Sequence, residues 1–72
     1  MRQISGKQLA KIVERRGWLL LRIQGSHHIY GREGSEVRLS IPIHGNQPLK
    51  VGLLKHLLKM AEIDFKKINH LK

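Results

Sequence analysis

Trp18-Leu19-Leu20-Leu21-Arg22-Ile23-Gln24-Gly25-Ser26-His27-His28-Ile29-Tyr30-Gly31-Arg32 is the stretch that decides the fold. Glycines bound the apolar run Trp18–Ile23, which is too short for a helix of its own and reads as a strand. Gly25-Ser26 suits a two-residue hairpin turn with glycine at its first position. His27 to Arg32 then forms a second, antiparallel strand. Glu33-Gly34-Ser35 is the next turn. Glu36 to Ile41 alternates charged or hydroxyl side chains with apolar ones, as a strand with one buried face does, and Pro42 ends it. The expectation is a three-stranded antiparallel meander.

Helices flank it. Ser5 and Gln8 have the spacing of a capping box, with Ile4 and Leu9 at the staple positions, so a helix starts at Gly6. Leu9, Ile12 and Val13 give it an apolar stripe. Lys7, Lys11 and Arg15 form a second row, read as a solvated face, and Gly17 stops the helix. Past Pro42, a loop carries His44, Gly45 and Asn46 as far as Pro48. Val51, Leu54, Leu57, Leu58 and Ala61 then define a second amphipathic helix, with Lys50, Lys55 and Lys59 off the stripe. Gly52 lowers the propensity of this helix for no local reason. Asp64 caps a short C-terminal helix, Phe65 to Leu71, with Ile63 and Ile68 as its staple. Three short strands cannot shield a core alone, so both helices should cover one face of the sheet. The class is α+β, in the element order of the double-stranded-RNA-binding architecture, with residues 1–72 as one domain.

Composition narrows the function. A 72-residue chain buries only about 60% of its unfolded surface, so a deep cofactor pocket is not expected. Fourteen Lys and Arg against five Asp and Glu give +9 and a pI near 10.8, a footprint for polyanions. Without cysteine there is no disulfide framework and no thiolate metal site, which fits a reducing cytoplasm. No apolar run is long enough to span a bilayer, and Met1 to Ser5 lacks the apolar core of a signal peptide.

The chemistry left open is narrow. The five acids form no spaced pair suited to acid–base work on a sugar or to holding magnesium. His27 and His28 are adjacent on a strand and point to opposite faces, so they cannot share a metal ion. No metal or other cofactor is expected. A histidine acting alone as acid or base remains, with a pKa suited to neutral pH. RNA is a substrate for which that suffices, because its 2′-hydroxyl is a nucleophile already tethered to the phosphate it attacks.

Gly17-Trp18, Arg22, Gly25-Ser26-His27-His28, Ile41-Pro42-Ile43-His44 and Gly52 with Leu54 together resemble the HicA-type toxins of bacterial toxin–antitoxin pairs. The resemblance spans Ser5 to Ile63. It implies a double-stranded-RNA-binding-like fold, cleavage of mRNA without a metal, arrest of translation and neutralisation by a HicB-type antitoxin. The family's catalytic histidine follows Gly-Ser directly, which lands on His27, and Gly25-Ser26 carries over as the turn that shapes the site. Arg22, Lys50 and Lys55 are candidates for phosphate contacts. His28 and His44 are candidates for a leaving-group acid or for structural roles. The chain departs from the family at Leu53, where threonine is usual, and at Glu62, where glycine is usual. Gly45-Asn46-Gln47-Pro48 is also less basic than is common. Two other readings stay open: a non-catalytic RNA-binding module using the same basic surface, and a small protein whose basic face meets only an acidic partner.

Overall fold

Ser5 opens the first helix as the capping-box spacing requires. Its Oγ accepts the Gln8 N–H at 3.1 Å, and the Gln8 side chain accepts the Ser5 N–H at 2.9 Å. The computed structural model describes residues 3–64 and 66. Within them the order is α1 (Gly6–Arg15), β1 (Leu19–Gln24), β2 (His27–Gly31), β3 (Leu39–Pro42) and α2 (Val51–Met60), an α+β fold. The strands form one antiparallel sheet in the order β1-β2-β3. The C-terminal helix expected over Phe65 to Leu71 lies outside the described residues, apart from Lys66, whose N–H bonds the Asp64 carboxylate at 2.9 Å.

Both helices end in the same motif. In α1 the N–H groups of Gly17 and Trp18 return to the carbonyls of Glu14 and Val13. In α2 those of Glu62 and Ile63 return to Lys59 and Leu58. This is the Schellman arrangement, which needs a left-handed residue just past the helix. Gly17 fills it in α1 with φ +92°, and Glu62 fills it in α2 with φ +61°. Glu62 therefore occupies a position where glycine is at ease and an L-residue is strained.

The two helices lie against β3 on one face of the sheet. Leu9, Val13, Trp18, Tyr30, Leu39, Ile41, Leu54 and Leu58 are its buried centre. The Tyr30 hydroxyl donates to the Glu14 carboxylate at 2.5 Å, tying β2 to α1. Burial first, then this hydrogen bond and the Glu14 charge, push the Tyr30 pKa well above its ordinary value. At its other end the sheet is tied to α2. Arg32 bonds Glu62 at 2.7 Å and lies 4.6 Å from the centroid of the Trp18 ring.

Several sequence boundaries move. Trp18 is a core residue ahead of β1 rather than its first member, and Arg32 falls past the end of β2. The third strand is Leu39–Pro42, four residues where six were expected, and it takes in Pro42. Glu36, Val37 and Arg38 are not extended pairing residues, because Ser35 draws this segment into local bonds. Its hydroxyl accepts the Val37 N–H, and its carbonyl accepts the Arg38 guanidinium. Coverage of the sheet is also partial. Every residue of β1 is exposed, including Leu19, Leu20, Leu21 and Ile23, because the helices reach β3 and leave this edge strand uncovered. Val51 is exposed and sits outside the core stripe of α2. Among the described residues no helix is long and apolar enough to cross a membrane.

Candidate active site and nucleic-acid interface

Gly25 has φ +60° while Ser26 keeps a negative φ, the pattern of a type II′ turn, which matches the twist of the strands it joins. The register that follows pairs Gln24 with His27 and His27 with Pro42. Side chains alternate faces along β2. Tyr30 and His28 share the helix-covered face with Leu39 and Ile41. His27 and Ile29 share the open face with Ser40. The two histidines thus separate as strand alternation demands.

His27 is exposed, and its Nδ1 lies 3.1 Å from the Ser40 Oγ. His28 is half-buried, and its Nδ1 is enclosed without a hydrogen-bond partner among the described residues. His44 comes from the loop after β3. Its Nε2 lies 3.3 Å from the Ser26 Oγ, and the neighbouring Ile43 N–H bonds the Ser26 carbonyl at 2.8 Å. The turn and this loop are therefore stitched together at the end of the sheet that carries His27. The loop is held from its other side as well. Ser5 bridges Pro48, and the Leu49 N–H bonds the Ile4 carbonyl at 2.8 Å. The start of α1 closes on the same point, since a Cβ at Gly6 would stand 2.0 Å from the Pro42 carbonyl oxygen.

Of the cations singled out in the sequence, Arg22 is on the open face, opposite Ile29 and two pairs along from that of Gln24 with His27. Lys50 is the N-cap residue of α2, and Lys55 lies within that helix, on the covered side of the sheet. The structure does not bring these two onto the face of His27. Among the carboxylates, Glu14 is engaged by Tyr30, Glu62 by Arg32 and Asp64 by the Lys66 N–H. No hydrogen bond joins a carboxylate to His27 among the described residues, and no three His, Cys, Asp or Glu residues converge there as metal ligands would.

Sequence reasoning missed Ser40 as a partner of His27. The alternation in Glu36 to Ile41 marks Ser40 as outward-facing, but only the strand register sets it beside the histidine. It also missed Arg38, whose guanidinium crosses the open face beside Gly31.

With this arrangement in hand, residues 6–63 match the family model described as the HicA toxin of bacterial toxin-antitoxin. No curated protein matches the chain. The match takes in both helices, the whole sheet, the His27 turn and the His44 loop. The chain therefore belongs to the HicA toxin family, the toxin half of a toxin–antitoxin pair, and its membership implies an antitoxin partner.

Proposed function

We propose that this toxin is an endoribonuclease that cleaves mRNA without a metal, using His27 as its proton-transfer residue, and so blocks translation in the cytoplasm. The observation that carries the reading is the placing of His27. It stands on the open face of a strongly basic chain, with one ring nitrogen held by Ser40. With the proton on Nδ1 donated to the Ser40 hydroxyl, Nε2 is left as the acceptor.

The chemistry balances with few groups. His27 Nε2 takes the proton of a 2′-hydroxyl. The 2′-oxygen bonds to the adjacent phosphorus, and the bond from phosphorus to the 5′-oxygen breaks. The leaving oxygen takes up a proton, so the products end in a 2′,3′-cyclic phosphate and a 5′-hydroxyl. His44 is the better placed donor for that proton, because it is tied to the Ser26 turn, whereas His28 lies on the covered face. Arg22 steadies the phosphate on the face of His27, with Gly25-Ser26 shaping the approach. Lys50 and Lys55 act on phosphates further along. General acid–base catalysis of this kind is worth about 10²- to 10⁴-fold in rate. A HicB-type antitoxin would neutralise the toxin by binding it.

The test is incubation of the purified protein with RNA in EDTA, beside His27→Ala. Cleavage by wild type and its loss in the variant are expected. Equal cleavage by both removes His27 from the chemistry. Binding without cleavage by either leaves an RNA-binding module.

A further inference from the structure

A groove of about 330 Å³ runs between α1 and the loop after β3, lined by Ser5, Lys7, Gln8, Lys11 and Asn46. Ser5 and Gln8 are committed to each other in the capping box, so their side chains are already engaged. The working groups of the groove are Lys7, Lys11 and Asn46. Among the described residues none of their side chains makes a hydrogen bond or ion pair, and no carboxylate lines the groove. We infer that this groove holds the phosphate backbone of the RNA whose scissile bond lies at His27, with Lys7 and Lys11 each meeting one phosphate.

This rests on the ribonuclease reading and extends it to a second contact site. Three features favour RNA backbone as the occupant. The lysines are one helical turn apart, with Cβ atoms about 5–6 Å from each other, so one strand can meet both in succession. The lining has no aliphatic or aromatic anchor, which a protein interface core would use. The groove also continues the site. The loop that supplies His44 to the Ser26 turn supplies Asn46 to the groove two residues later, and α1 begins against Pro42, the strand partner of His27. The Lys7–Lys11 row thus becomes one wall of a track rather than a solvated face.

Binding of a short fluorescent RNA to His27→Ala, measured from 50 to 200 mM salt, tests it. Each phosphate neutralised on a single strand contributes about 0.7 to the slope of log K against log salt. Adding Lys7→Gln and Lys11→Gln should lower that slope by about 1.4. Removing two charges elsewhere, with Arg15→Gln and Lys59→Gln, should leave it within a few tenths. Glutamine is a good helix former, so folding should survive. If the double variant melts early, the two single changes decide, each lowering the slope by about 0.7. An unchanged slope, an equal fall in the control, or weakened antitoxin binding with RNA binding intact overturns the inference. Should wild type still cleave RNA in EDTA while the slope stays put, the groove assignment falls alone. If His27→Ala binds no RNA at all, the groove and the ribonuclease reading fall together.

Discussion

Gly6 is the first residue of α1 and Gly52 the second of α2, and the same substitution should move stability in opposite directions at the two. A Cβ at Gly6 would stand 2.0 Å from the Pro42 carbonyl oxygen, and its neighbours include the Ile43 side chain at 3.1 Å. Real side chains do not approach a backbone oxygen that closely, so Gly6→Ala must push α1 off the end of β3 by about an ångström. Overpacking of this kind costs about 1–3 kcal/mol, against at most ~1 kcal/mol of better helix propensity. A net loss of about 1 kcal/mol lowers the melting temperature of a domain this size by roughly 4–8 °C. At Gly52 a Cβ meets nothing within 4 Å. Gly52→Ala should stabilise by about 0.4–1 kcal/mol, a rise of a few degrees, by restricting the unfolded chain. Thermal melting by circular dichroism reads both. A Gly6→Ala protein melting within two or three degrees of wild type would refute the close approach of α1 to Pro42. It would also undercut the joining of the groove to the site, since Pro42 is the strand partner of His27.

Glu62→Gly should gain about 1 kcal/mol in urea unfolding. Holding an L-residue in the left-handed region costs about 1–2 kcal/mol, more than the exposed Arg32–Glu62 pair returns; a loss of stability would show the ion pair to dominate. Tyr30→Phe should cost about 1–2 kcal/mol at pH 7 through the lost bond to Glu14. Because the folded-state pKa of Tyr30 is raised, its contribution is whole below the unfolded value near 10 and is lost as pH rises above it. The gap between wild type and Tyr30→Phe should therefore narrow above about pH 10, and a gap that widens there contradicts the assignment. Ser40→Ala should lower RNA cleavage about 3- to 10-fold, with Ser40→Thr restoring it. An unaltered rate would leave Ser40 without a role in holding His27.

Features written in contiguous residues were legible in the sequence. The capping box at Ser5 and Gln8, the Gly25-Ser26 hairpin and the helix stop at Gly17 each depend on neighbours a few positions away, and each is in place. The opposite facing of His27 and His28 followed from strand alternation alone. Features that depend on register or on competition between bonds were not legible. Ser35 turns Glu36 to Arg38 out of the ladder by hydrogen bonds that alternation cannot reveal. The helices were expected to cover one face of the whole sheet, yet they pack on β3 and Tyr30 of β2 and leave Leu19 to Ile23 bare. Ser40 pairs with His27 across two strands, and Asn46 joins Lys7 and Lys11 across a loop, so neither grouping has a signature in spacing. The departure at Glu62 was visible as a residue, but only its φ shows that a glycine position has been filled. Nothing in the structure explains Gly52.

The central claim is that His27 drives attack by a 2′-hydroxyl. RNA carrying a single 2′-deoxy nucleotide at a mapped cleavage position tests it most directly, incubated in EDTA beside the all-ribose strand. Cleavage of the ribose strand to a 2′,3′-cyclic phosphate and a 5′-hydroxyl is predicted, with none at the deoxy position and none at either by His27→Ala. Cleavage at the deoxy position at the ribose rate, or by His27→Ala at the wild-type rate, would contradict it.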